Sequence, residues 1–194
     1  MGERGETARL IDISPPLDPE IAVFPGDTPL GREILLDFSR GDSLTLSTMR
    51  ATVHLGAHVD APIHYGAGAE SIDELPLERF VGPCRVLPLG AVAGRSIGWD
   101  EVRRALDGSP PTERLLIATG SYPDPTRFED GFAALHAEVI QELGQLGVKL
   151  IGVDTPSVDP PDSKDLPAHG ACLAHGISIL EGLVLEDVPA GVYE

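Results

Sequence analysis

Residues 134–153, ALHAEVIQELGQLGVKLIGV, carry the pattern that decides the fold class. Apolar side chains recur there at three- to four-residue spacing, at Leu135, Val139, Leu143 and Leu146. This spacing predicts an amphipathic helix over residues 134–146 that stops at Gly147. The apolar run at residues 148–153 then predicts a strand. A helix that leads directly into a strand is typical of an α/β domain.

Proline and glycine divide the rest of the chain into short segments, since 18 prolines and 22 glycines occur among its 194 residues. Apolar patterning between these breaks predicts strands over residues 10–13, 34–38, 44–49, 84–89, 115–118 and 177–185. Helices are predicted over residues 99–106 and 169–175, and a turn-rich loop over residues 24–29. We expect one α/β domain over residues 1–194, because a chain of this length suits a single hydrophobic core.

The composition excludes several classes of partner. A formal net charge of -17 repels phosphate backbones and anionic membrane surfaces, so we expect neither nucleic acid nor membrane binding. Cys84 and Cys172 lie far apart without CxxC spacing, which favours two buried thiols in a reducing compartment. The first residues contain no apolar leader core, and no apolar run reaches the ~18 residues of a membrane span. A cytoplasmic protein is the expectation.

A cluster of histidines and a carboxylate lies at residues 54–64, HLGAHVDAPIH. Gly56 within it favours a tight turn. His58 and Asp60 are two residues apart, so an extended backbone points both side chains to one face, and His54 lies one turn earlier. Two imidazoles and one carboxylate suit zinc, manganese or iron. Because no cysteine is adjacent to close such a site, we expect it to keep an open position for water or substrate.

The residue types by themselves leave two interpretations of this cluster open. Histidines in folded proteins are usually hydrogen-bonded core or surface residues, and the spacing is compatible with that role as well as with a metal site. His169 and Glu181 could complete a metal site, but their spacing does not establish it. His136 stands alone and is interpreted as a surface or helix-end residue.

The cluster resembles the H-x-G-x-H-x-D-x-P-x-H signature of the cyclase-like metal hydrolases, and more closely that of their bacterial kynurenine formamidase (arylformamidase) branch. Other segments that resemble this branch follow in the same order along the chain, at residues 12–15, 24–29, 82–86, 152–157 and 179–182. The resemblance thus covers almost the whole sequence. It implies a mixed-sheet swivelling β/β/α domain with a barrel-like sheet, which assembles as a homodimer. The implied reaction is the hydrolysis of N-formyl-L-kynurenine to L-kynurenine and formate in tryptophan catabolism.

The resemblance also implies the roles of individual residues. It assigns five metal ligands, His54, His58, Asp60, His169 and Glu181. Asp60 and Glu181 would be shared between two metal ions in each subunit, and His64 would donate and accept the proton. Zinc is the usual metal in this branch, and manganese occurs elsewhere in the superfamily. No ligand role falls on His175, which we interpret as structural or as a support to the ligands.

Two departures from the branch affect these expectations. Phe24 stands where many formamidases carry a substrate-packing Trp, and Phe keeps the apolar face but loses area and the indole N–H. This leaves isatin, or another small acyl compound, open as the substrate. The chain also stops at Glu194, where relatives continue into an apolar strand that Val192 and Tyr193 would begin. A non-catalytic metal-binding protein is the alternative from another class, and the presence of His64 argues against it.

Overall fold

The computed structural model describes residues 9–90 and 94–194. The strands are β1 (Gly31–Leu36), β2 (Leu46–Arg50), β3 (His58–Asp60), β4 (Cys84–Pro88), β5 (Ser96–Ile97), β6 (Arg114–Ala118), β7 (Ala134–Leu135), β8 (Leu150–Val153), β9 (Ser178–Glu181) and β10 (Gly191–Tyr193). The α-helices are α1 (Trp99–Leu106), α2 (Ala137–Gln145) and α3 (Pro167–His175).

A six-stranded mixed sheet forms the centre of the molecule, in the order β10-β4-β6-β8-β9-β3. Strands β4, β6, β8 and β9 run parallel, whereas β10 and β3 pair antiparallel at the two edges. The predicted mixed α/β fold is therefore confirmed. The C-terminal segment Gly191–Tyr193 extends the sheet by pairing with β4.

The core explains why the central strands read as continuous apolar runs. In β6, Leu115 and Ile117 belong to one buried cluster together with apolar residues of all three helices, and Leu116 belongs to a second cluster with Leu183 and Leu185. Both faces of this parallel strand are thus covered. Its sequence therefore does not alternate between apolar and polar residues, as that of a strand with one exposed face would. Cys172 lies in the first cluster and Cys84 is half-buried, and both are free thiols.

The predicted helix over residues 134–146 was wrong at its start. Residues Ala134 and Leu135 form β7, which pairs in parallel with β5, and the helix begins only at Ala137. The backbone N–H groups of Leu135 and His136 donate to the carbonyls of Val158 and Ile97, so tertiary hydrogen bonds override the helical periodicity. Exposed His136 precedes the first helical residue, as the prediction of a helix-end position implied. Leu146 follows the helix and is 50% exposed rather than on the buried face.

Other element predictions were confirmed with shifted bounds, apart from two. Residues 10–13 are not a strand, because the one backbone–backbone hydrogen bond recorded for them within the described chain runs from the N–H of Val184 to the carbonyl of Ile13. The strand predicted over residues 177–185 stops at Glu181, where Gly182 adopts a positive φ of 69°. In the described residues, we find no helix of the length and apolarity needed to cross a membrane.

Candidate metal centre

The edge strand β3 and its neighbour β9 place three of the predicted ligands side by side. His58 of β3 lies opposite Glu181 of β9 in the antiparallel register. Asp60 follows two residues later, so its side chain points to the same face as that of His58. A short 3-10 helix, Pro62–His64, then turns the chain back over this face. His169, on the first turn of α3, completes the group from the other side.

Two glycines allow the strand ends to meet at this site. Gly56 and Gly182 both have positive φ, at 60° and 69°. A Cβ atom on Gly182 would lie 2.3 Å from the carbonyl oxygen of Gly56, which is impossible without backbone movement. The turn before His58 can therefore pack directly on the turn after Glu181 only because neither glycine carries a side chain.

The first set of ligand atoms comes from His54, His58 and Asp60. His54 Nδ1 lies 3.0 Å from His58 Nε2 and 2.9 Å from Asp60 Oδ1, and His58 Nε2 lies 3.4 Å from the same oxygen. Atoms that bind one tetrahedral ion at bond lengths of about 2.1 Å lie about 3.4 Å apart. The structure therefore brings together the three side chains that were predicted to hold the first metal ion.

The second set shares the carboxylates of the first. His169 Nε2 lies 3.4 Å from Asp60 Oδ2 and 3.7 Å from Glu181 Oε1. The other Glu181 oxygen, Oε2, lies 3.7 Å from His58 Nε2. Asp60 and Glu181 thus each turn one oxygen toward His58 and the other toward His169. We call the five residues His54, His58, Asp60, His169 and Glu181 the ligand cluster.

The ligand cluster fits a divalent cation in charge as well as in geometry. Asp60 and Glu181 are buried, with 1% and 3% exposure, and within the described chain their recorded ion-pair partners are histidines alone. The Oδ1 atom of Asp60 is buried without any hydrogen-bond partner in that part of the chain. Buried carboxylates of this kind are costly unless a cation compensates them. Imidazole nitrogens with carboxylate oxygens are donors that suit zinc or manganese.

Neighbouring groups shift the pKa values of Asp60 and Glu181 in opposite directions. Burial raises the pKa of Asp60, but the imidazoles of His169, His54 and His58 beside its carboxylate outweigh it and hold that pKa below its usual range. Burial and the neighbouring charge of Asp60 raise the pKa of Glu181. This raised pKa reflects like charges packed together in a dry site, which is the environment that a metal ion neutralises.

Hydrogen bonds fix the ring orientation of two histidine ligands. The Nδ1–H of His58 donates to the carbonyl of Gly56 at 2.9 Å, so its Nε2 lone pair faces the ligand cluster. His169 Nδ1 lies 2.7 Å from Oδ2 of Asp159, which orients its Nε2 in the same way. Although burial lowers it, the hydrogen bonds to Asp159 and Asp60 raise the pKa of His169 to about 9.

Asp159 is a residue that the sequence analysis missed. It is fully buried, and its carboxylate also accepts the backbone N–H groups of Ala168 and His169 at 2.9 and 3.0 Å. No capping signal singles it out, because Asp162 and Asp165 lie closer to the start of the helix predicted over residues 169–175. Its contact with the ring of His169 is visible only in the folded chain.

Replacement of Asp159 by Asn should weaken metal binding about 10- to 100-fold, the usual effect of losing the carboxylate behind a histidine ligand. Isothermal titration of the metal-free D159N variant with Zn²⁺, beside circular dichroism to check folding, measures this. Asp162→Asn removes the same charge from an exposed neighbour and should leave affinity unchanged. Equal affinities for D159N and the parent protein would show that Asp159 serves only the helix.

His64 lies at the exposed side of the ligand cluster. Its ring centroid is 4.2 Å from that of His54 and 6.2 Å from that of His169. Burial lowers its pKa, which favours the neutral imidazole. One ligand atom each from His54, Asp60 and His64 also lies within 4.8 Å of the others, so the distances suit a ligand as well as a proton carrier. The proton-transfer role of His64 stays a prediction.

A cavity of about 450 Å³ opens beside His54 and His58, which form part of its wall. Phe24, the residue at the position of the expected Trp, lines it, and its ring packs edge-on against Phe128 with centroids 4.9 Å apart. Tyr122 also lines the cavity, and neither it nor Phe128 was singled out from the sequence. A cavity of this size and apolar character suits a small aromatic molecule.

The remaining predicted residue, His175, lies outside this arrangement. It ends α3 and packs against Gly144 of α2, where a Cβ atom on the glycine would lie 2.7 Å from His175 Nδ1. This position accords with the structural role that we expected for it.

Comparison with known proteins agrees with the fold. The family model Cyclase matches residues 11–160. A predicted metal-dependent hydrolase from Bacillus stearothermophilus is 25% identical, with a TM-score of 0.76 over 94% of this chain and 86% of that one. A potential metal-dependent hydrolase with cyclase activity is 24% identical, with a TM-score of 0.79 over 94% and 85% of the two chains.

Isatin hydrolase A from Labrenzia aggregata, in a structure bound to benzyl benzoate, is 20% identical, with a TM-score of 0.75 over 95% of this chain and 85% of that one. At this identity the likeness concerns the fold. The family match, in contrast, covers most of the chain and contains three of the five residues of the ligand cluster, His54, His58 and Asp60, together with Asp159. The chain therefore belongs to the Cyclase family, and its fold is that of the cyclase-like metal-dependent hydrolases.

Proposed function

We propose that this protein is an arylformamidase that hydrolyses N-formyl-L-kynurenine to L-kynurenine and formate, with two zinc ions in each subunit. The observation that carries the proposal is the aromatic-walled cavity that opens directly onto the ligand cluster. An aryl amide needs both features, because its ring requires an apolar wall and its carbonyl requires an electrophilic partner.

The ligand cluster would hold the two ions through separate sets of atoms. His54, His58 and Asp60 would hold one, and His169 with the second oxygen of Asp60 and with Glu181 would hold the other. When bound, such cations supply Lewis acidity that polarises the amide carbonyl and lowers the pKa of water to roughly 7. Asp159 and the carbonyl of Gly56 keep the imidazoles oriented while the reaction proceeds.

We assign the proton transfers of the reaction to His64. Its neutral imidazole would accept a proton from the attacking water as the new C–O bond forms. It would then donate this proton to the amide nitrogen as the C–N bond breaks, so that the aryl amine leaves uncharged and formate remains. The ring of His64 is exposed and lies beside that of His54, so it is not locked into the core.

The test is a direct assay with two substrates. Zinc-loaded protein is incubated with N-formyl-L-kynurenine and, separately, with isatin, while the absorbance of each product is followed. We expect turnover of N-formyl-L-kynurenine, and none after the metal is removed with a chelator. Turnover of isatin alone would favour the second candidate, which rests on Phe24 in place of the larger Trp. Metal binding without turnover of either would indicate a non-catalytic metal-binding protein.

We also propose that the protein assembles as a homodimer through its β1–β2 hairpin. Both strands are largely exposed, and large apolar side chains stand on them, including Ile34, Leu46 and Met49 at 43%, 48% and 65% exposure. An isolated two-stranded hairpin is only marginally stable in water, so a second copy that covers it would stabilise both. Light scattering should show a dimer that M49E dissociates and that Leu146→Glu, on the helical side, leaves intact.

A further inference from the structure

The cavity beside the ligand cluster has an unbalanced set of charges. Apart from His54 and His58, its charged lining residues are Asp154 and Glu186. Within the part of the chain that the structure describes, no lysine or arginine side chain lines it. A ligand that carries a carboxylate on its tail would therefore meet carboxylates and no fixed cation in this wall.

Hydrogen bonds from the end of a neighbouring strand hold the carboxylate of Asp154 in the wall. Its oxygens accept the backbone N–H groups of Thr119 and Gly120 at 2.9 and 2.8 Å, and the hydroxyl of Thr119 at 2.6 Å. These donors come from the end of β6, so the contact joins the ends of two parallel strands. Because the donors satisfy the carboxylate without a full positive charge, the wall keeps its negative sign.

Glu186 is the carboxylate that remains available to a ligand. It is exposed, and among the described residues no hydrogen bond or ion pair to its side chain is recorded. It follows Leu185, whose side chain is buried in the second core cluster, so the backbone that carries it is anchored. A carboxylate without a partner on an anchored segment can respond to the charge of an incoming molecule.

The electrostatic potential is also negative on the aromatic side of the cavity. Burial and then the negative charges of Asp124 and Glu129 raise the pKa of Tyr122 to about 12. The phenol of Tyr122 thus stays neutral, and the acidic residues behind it extend the negative field. The net charge of -17 for the whole chain acts in the same direction at longer range.

We infer that the cavity selects its substrate by charge, with Glu186 as the residue that determines the selection. It takes aryl amides whose tail is neutral or cationic and disfavours those whose tail is anionic. Resting on the proposed function, this inference places the ammonium group of a zwitterionic amino-acid tail toward Glu186 and its carboxylate toward solvent. An aryl amide with an uncharged tail meets no electrostatic penalty in the same position.

Three formanilides with para-propyl, para-aminoethyl and para-carboxyethyl tails test the inference. The saturated spacer keeps the leaving anilines alike, so differences in kcat/KM report the tail charge. At low ionic strength we expect the anionic compound to be about tenfold poorer than the neutral one, and salt should reduce this ratio. E186K should abolish or invert the ratio. Asp187→Lys makes the same change of charge at an exposed neighbour that does not line the cavity, and it should alter the ratio far less.

Binding of the three corresponding anilines to the metal-free protein supplies a readout that does not need turnover. Weaker binding of the anionic aniline than of the neutral one, with the order reversed in E186K, supports the inference even if no formanilide is hydrolysed. Absence of hydrolysis would count against the proposed function alone. Equal or tighter binding of the anionic aniline by the parent protein would overturn the inference. If E186K left the order of the three affinities unchanged, Glu186 would not be the residue that determines the selection.

Discussion

The double variant His54→Ala/His58→Ala should lose metal binding and hydrolase activity together while remaining folded. Both nitrogen atoms of the first ligand set disappear, and Asp60 Oδ1 is left without its two imidazole neighbours. Zinc affinity should fall by more than roughly 100-fold, which is the upper range for removing a residue that only hydrogen-bonds to a ligand. Folding should survive, because neither histidine belongs to the two buried apolar clusters.

Metal content after dialysis and a zinc titration measure this result, and thermal denaturation of the metal-free proteins checks folding. His136→Ala with His175→Ala is the matched control, since it removes two exposed histidines that lie outside the ligand cluster. The control should bind metal as the parent does. If the His54→Ala/His58→Ala protein kept its full metal content, these two residues would not be ligands.

His64→Ala should retain the metal and lose about 10²- to 10⁴-fold in kcat, the range that proton transfer by a side chain typically contributes. The water would lose the base that accepts its proton, and the amine would have to leave without a donor. Substrate affinity should change little, because the ring wall of the cavity is formed by other residues, among them Phe24 and Phe128. Steady-state kinetics and metal analysis of the same sample separate the two effects.

Added imidazole gives this prediction a second readout. Partial recovery of kcat in H64A, with no effect on the parent protein, would identify a missing proton carrier. Loss of metal from H64A would instead make His64 a ligand, in keeping with its distances to His54 and Asp60. Undiminished activity would exclude both roles.

The local apolar pattern correctly predicted elements that are buried on all sides or whose contacts are close in sequence. Helix α1 has the bounds predicted for it, and the run at residues 115–118 lies within β6, which is buried on both faces. The pattern was wrong where distant backbone decided the pairing. Leu135 has helical spacing, yet its N–H bonds to the carbonyl of Val158, and its strand partner is Ile97.

The same division holds for the ligand cluster. Residues 54–64 already contain three of its members at spacings that a turn and a strand can bring together. His169 and Glu181 were assigned only through the resemblance, because more than 100 residues separate each of them from Asp60. No periodicity spans that interval, and only the pairing of β3 with β9 brings Glu181 to His58.

The sequence by itself determined the α/β class and a candidate metal-binding segment, because helical and strand periodicities and the H-x3-H-x-D spacing are local properties of the chain. The tertiary structure decided what surrounds that segment. Asp159 reaches the ring of His169, Phe128 faces Phe24, and Glu186 stands at the cavity wall through contacts between distant segments. Such contacts depend on how strands and helices pack in three dimensions, and no spacing along the chain encodes them.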